Sequence, residues 1–142
     1  MFQRVSIIGR VGQDPEMRYM PDGTAVTNFS VATTTGVSKD RSQPKGWKES
    51  YNGRRWELTT WFRVACWGKL AENANRYCKK GMLVFIEGEL TGEAADGTLS
   101  PRVWQGKDGE HRANFELTAR NVKFLDYGGS KEEEEEEEAY AF

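Results

Sequence analysis

In residues 4–12, RVSIIGRVG, the side chains divide at every step. Val5, Ile7, Gly9 and Val11 fall on one face and Ser6, Ile8 and Arg10 on the other. A repeat of two belongs to a strand, and it limits the chain to folds that bury one face of a sheet. The same period runs through TAVTNFSVATTT, where Phe29 and Val31 oppose Asn28 and Ser30. It runs through RWELTTWFRVACWG, where Phe62, Val64 and Cys66 form the core side, and Trp56 falls on that side too. MLVFIEGEL sets Val84, Ile86 and Leu90 against Phe85, Glu87 and Glu89, and HRANFELTARNVKFL closes as a last strand. One stretch breaks the period. KLAENANRYCKKG reads as a short helix with Leu70, Ala74 and Tyr77 on one face, lysines in its last turn and Gly81 as its stop.

The connections carry their own signals. Pro21-Asp22-Gly23 sets a tight turn, because proline fixes φ and glycine supplies φ > 0. SKDRSQPKGWKESYNGRR reads as a long mobile loop, and TGEAADGTLSPRVWQGKDGE as a hairpin-like excursion. Five strands with one helix between the third and fourth is the order of an OB-fold, a small all-β barrel that often holds nucleic acid. Residues 1–126 are expected to form it, and 127–142 a short linker and a disordered acidic tail.

Composition narrows the function. No apolar run approaches a membrane span, and the first residues read as a strand rather than a signal peptide, so a cytoplasmic protein is expected. Cys66 and Cys78 read as buried, reduced thiols, and with His111 as the only histidine no zinc site forms. No Walker loop, nucleophile elbow or paired His/carboxylate signature appears, so neither an enzyme nor a cofactor is expected. The charge is segregated. All 20 Lys and Arg lie in residues 1–131 with 15 of the 22 acidic residues, giving 20 − 15 = +5; Glu132–Glu138 carry −7. A polyanion-binding body joined to an acidic interaction tail has this distribution.

The face opposite Phe62 presents Trp61, Arg63, Ala65 and Trp67. Indoles left toward water serve as stacking surfaces for bases, and the arginine between them suits a phosphate; single-stranded nucleic acid needs both. Trp104, flanked by Arg102 and Lys107, repeats the combination in a polar setting, and Trp47 beside Lys45 and Lys48 repeats it more weakly.

The segments GRVGQDPEMRYMPDGTAVTNFSVAT, TTWFRVACWGKLAENANRYCKKG and LVFIEGEL together resemble the bacterial single-stranded DNA-binding protein family. The resemblance runs from about Arg4 to Leu125 and implies a homo-oligomer, expected as a homotetramer, that coats single-stranded DNA in replication, recombination and repair. It implies stacking by Trp61, Trp67, Trp104 and Phe85, with Arg63 and Lys69 as phosphate contacts; Arg4, Arg10, Arg102 and Lys107 are expected as further phosphate contacts. The chain departs from the family at Val37, the position closest to a further stacking tryptophan, and at Ala141, where a proline usually stands. The resemblance makes the acidic end a hook for replication and repair enzymes, with Glu136, Glu137, Glu138, Tyr140, Ala141 and Phe142 as its working residues. A disordered anionic segment docks on basic patches while an aromatic enters a pocket. OB-fold RNA-binding proteins and primosomal accessory proteins are the rival readings, and neither explains the tail.

Overall fold

The computed structural model describes residues 1–40, 42–92 and 98–126. Five strands form the barrel: β1 (Val5–Val11), β3 (Ala25–Ser38), β5 (Arg55–Trp67), β6 (Leu83–Thr91) and β9 (Phe115–Phe124). Helix α1 (Lys69–Tyr77) joins β5 to β6. β1 pairs antiparallel with β3 and β6, β3 with β5, and β6 with β9. A parallel register of β9 on β5, from Phe62↔Phe115 to Ala65↔Thr118, closes the ring. That connectivity is the OB-fold.

The alternation places its apolar members inside. Val31, Val64, Cys66, Val84, Ile86 and Leu117 are fully buried, and Phe29 and Ile7 nearly so. The buried thiol of Cys66 is pushed up to about 12, chiefly by desolvation and further by Cys78, so it stays protonated and inert at neutral pH. The buried hydroxyl of Thr27 donates to the Ala71 carbonyl at 2.6 Å, tying α1 to β3 and satisfying both groups.

Several local readings change. The helix ends at Tyr77, before the lysines, and Cys78 is extended and buried. Tertiary bonds impose that exit: Lys80 N donates to Asp14 Oδ1 and Gly81 N to the Val11 carbonyl. Ala71, Ala74 and Tyr77 form the buried face, while Leu70 is half-buried against the core. The stretch 15–24 adds a strand, β2 (Glu16–Tyr19), paired with β3 through the expected turn, where Gly23 has φ 87°. The long loop is shorter than its composition implies, because β3 runs to Ser38 and Lys48–Glu49 (β4) pair with β5. The last strand is split: β7 (Val103–Gln105) and β8 (His111–Ala113) form their own two-stranded sheet, and β9 starts after Asn114. Leu90 keeps its phase but lies at the barrel's end and is 46% exposed.

Close strand approach makes one glycine indispensable. At the β6 irregularity, a Cβ on Gly88 would stand 2.0 Å from the Thr118 carbonyl oxygen. Gly88→Ala should therefore cost about 1–3 kcal/mol, the range for forced overpacking, read as a lower denaturation midpoint. Unchanged stability would mean that the β6–β9 backbone yields freely there.

Candidate nucleic-acid interface

β5 builds the site because its alternate residues face outward while Val64 and Cys66 anchor it in the core. Cross-strand register defines rows on this outer face: Arg10–Ala32–Trp61, Ser30–Arg63–Glu116 and Asn28–Ala65–Thr118. Trp61 is 54% exposed and Trp67 43%. Six residue steps along the strand separate them, about 20 Å.

Two clefts open on either side of Arg63. One, of about 270 Å³, is lined by Trp61, Asn28, Ser30, Gln13 and Asn114. The other, of about 280 Å³, is lined by Trp67, Arg18, Arg102, Val26 and Glu116. Arg63 and Asn28 border both, so the clefts form one groove. Among the described residues the Arg63 side chain makes no hydrogen bond or ion pair, although Glu116 sits beside it in register. A cation held between two open indoles can meet a phosphate without first breaking an internal pair.

The structure groups only some of the sequence-expected residues here. Trp61, Arg63, Trp67 and Arg102 line the groove. Lys69 is exposed in the first turn of α1, two residues beyond Trp67. Trp104 stands on β7 with the Arg112 guanidinium 5.8 Å from its ring centre, and Lys107 is at the hairpin turn. Phe85 lies elsewhere, half-buried on the outer face of β1, β6 and β9 between Ile8 and Lys123. Arg4 is 3.9 Å from the Glu87 carboxylate. Arg10 is paired with Asp126 and donates to the Gly81 carbonyl at 3.0 Å. Burial raises the Asp126 carboxyl, but the Leu83 N–H and Arg10 outweigh it and hold the group below the usual carboxylate range. Trp56 is half-buried opposite Val37, with the Lys39 ammonium 4.8 Å from its ring centre. Trp47 is half-buried just before β4. The hook residues Glu136, Glu137, Glu138, Tyr140, Ala141 and Phe142 lie outside the described residues.

Sequence reasoning missed Asn28, Ser30, Arg18 and Gly12. The first two were legible as polar members of an alternating strand, and Arg18 as a charge in an unrecognised one. Gly12 acts by having no side chain: a Cβ there would lie 2.5 Å from Cζ3 of Trp61 and 2.8 Å from the Ser30 hydroxyl.

A closed five-stranded barrel with one helix between its third and fourth strands defines the OB-fold class of small barrels, here with exposed indoles along the third strand. More particularly, the chain belongs to the single-strand binding protein family, whose pattern it matches over residues 2–125. Single-stranded DNA-binding proteins of Neisseria meningitidis serogroup A and serogroup B are each 42% identical to it over 129 residues, 91% of this chain. The chain spans 62% of the length of those relatives. A chain of the Plasmodium falciparum SSB complex with ssDNA shares the fold, with a TM-score of 0.59 at 22% identity. That match covers 89% of this chain and 96% of the other.

Gly12→Ala should displace the Trp61 ring while leaving the barrel intact, since the added methyl meets side chains rather than backbone. The Trp61 indole cross-peak in a ¹H–¹⁵N spectrum should move, with the unfolding midpoint nearly constant. An unmoved cross-peak would show that the ring does not rest on Gly12.

Proposed function

We propose that this chain is a non-catalytic, sequence-independent single-stranded DNA-binding protein that coats exposed strands in replication, recombination and repair. The observation that carries the reading is the groove itself: two exposed indoles flanking an unpaired arginine. Family membership supports it. Stacking on Trp61 and Trp67 tolerates any base, because every base has a π-face, and Arg63 supplies the backbone contact. Lys69, Arg102 and Lys107 extend the cationic path, and Trp104 adds a platform on the β7–β8 arm. Phe85 and Arg4 act outside the groove in this reading, and Arg10, at the end of the Trp61 row, is already paired with Asp126. Ile8, 57% exposed beside Phe85, offers an apolar face for a second copy, which favours a homo-oligomer. A homotetramer would gather four grooves for one strand. Glu132–Phe142 recruit the partner enzymes, with Phe142 giving specificity that glutamates alone lack. The protein works in the cytoplasm, on the nucleoid.

A fluorescence titration with poly(dT), beside mass determination in solution and competition by RNA oligomers, tests the reading directly. Trp61→Ala and Trp67→Ala should each weaken binding by about 1–3 kcal/mol, one stacking platform apiece. Arg63→Ala should make the slope of log affinity against log salt shallower by about 0.7, one phosphate contact on a single strand. Wild-type affinity in all three folded variants would sink the assignment.

The acidic segment separates charge from specificity. Deleting Glu132–Phe142 removes seven negative charges tethered to a +5 body, so DNA binding should tighten at low salt and converge with wild type at high salt. Phe142→Ala keeps every glutamate; it should leave DNA affinity alone and abolish capture of replication and repair enzymes in a pull-down. Retained capture would reduce the segment to a charge screen.

A further inference from the structure

The barrel end beside the groove carries an apolar mouth of about 280 Å³, formed by Leu90, Leu99, Pro101 and Phe115. Its apolar side chains are open to water: Leu90 is 46% exposed, Phe115 61% and Leu99 65%. Phe115 is in phase with the core residues of β9, yet the barrel gives out before it is covered. Phe62 holds the ring from one side, with centroids 5.7 Å apart and planes tilted by 35°. The aromatic surface is thus fixed in place and open to a ligand.

Its rim decides what could settle there. Gln3 accepts the Leu90 N–H through Oε1 at 3.3 Å, which leaves its NH₂ free to donate. Asn114 and the half-buried Glu116 add further hydrogen-bonding groups. The lining holds no lysine or arginine, and among the described residues the Glu116 carboxylate has no ion-pair partner. Such a mouth repels phosphates, and equally the glutamate run of this chain. A flat, uncharged heterocycle with N–H donors at its edge suits it. The mouth is also continuous with the groove: Asn114 borders the Trp61 cleft, while Thr91 and Glu116 border the Trp67 cleft.

Building on the single-strand reading of that groove, we propose that this mouth is a further subsite for an unstacked nucleobase of the bound strand, with Phe115 as its stacking platform. The phosphodiester backbone stays on the Arg63 side while one base turns into the mouth. Glu116 then accepts from the base edge, which favours cytosine, adenine and guanine, with their exocyclic amino groups, over thymine.

The test uses the full chain and its Phe115→Ala, Phe115→Leu, Glu116→Gln and Trp61→Ala variants. Each is titrated with dC and dT oligomers of equal length, with unfolding midpoint and solution mass measured alongside. Phe115→Leu keeps the apolar volume and removes the π-face, so it serves if Phe115→Ala fails to fold. Loss of one platform should weaken binding about tenfold in the Phe115 variants. Glu116→Gln should narrow the gap between dC and dT. An oligomer bearing 5-iododeoxycytidine should photo-crosslink to Phe115 in wild type. If Trp61→Ala weakens binding while both Phe115 variants match wild type and no crosslink maps to Phe115, the subsite is overturned and the groove reading stands. If Trp61→Ala also matches wild type, the groove reading itself has failed, and the subsite with it. A lower solution mass in the folded Phe115 variants would make the mouth an interface between copies and overturn the proposal.

Discussion

The parallel pairing of β9 with β5 is the contact on which the rest of the molecule depends. It spans only Phe62–Ala65 against Phe115–Thr118, but it converts an open sheet into a ring. Closure removes the free edges that β5 and β9 would otherwise present, and it fixes which side of β5 is core. Val64 meets Leu117 inside, so Arg63 and Ala65 have nowhere to go but out. The groove is thus a by-product of barrel closure: its floor is the outer surface of β5.

Charge is distributed with the same economy. Arg10, Arg55, Arg112 and Arg120 each have a carboxylate partner on the surface. Exposed pairs of that kind contribute little to stability, from nothing to about 1 kcal/mol. Their effect is to neutralise cations away from the clefts. Arg18, Arg63 and Arg102 line the clefts and, among the described residues, have no such partner. The local field is therefore set by these three guanidinium groups and the carboxylates of Glu16 and Glu116 that line the same clefts, rather than by the total count of basic residues.

The alternation made the barrel legible: the five strands and the inward faces of β1, β3 and β5 follow from period two alone. What escaped was set by contacts distant in sequence. The helix stops where Val11 and Asp14 claim the backbone of Gly81 and Lys80, and no local residue announces it. The break at Asn114 has neither glycine nor proline to mark it. Leu90 reads as core because its phase is right, and only the barrel's finite length leaves it open, as it does Phe115. Among the site residues, Trp61, Arg63 and Trp67 were readable as an outward row. Phe85 was not separable from the groove, because an outer face in sequence does not say which side of the barrel it wraps, and no local signal announces that Asp126 pairs with Arg10.

The β3–β5 ribbon changes width along its length. Beside Thr33, Thr34 and Thr35 its only paired neighbour among the described residues is Leu58–Thr60, whereas further out Lys48 and Glu49 join as a third strand. A two-stranded neck therefore links the barrel to a small three-stranded lobe that carries Lys39, Lys48 and Arg55. Bending a ribbon is easiest where it is narrowest, and no packed core backs these threonine rows. Trp61 lies one row inside the neck, whereas Trp67 lies at the far end of β5, two residues before α1, so the two indoles stand at very different distances from the ribbon's narrowest stretch.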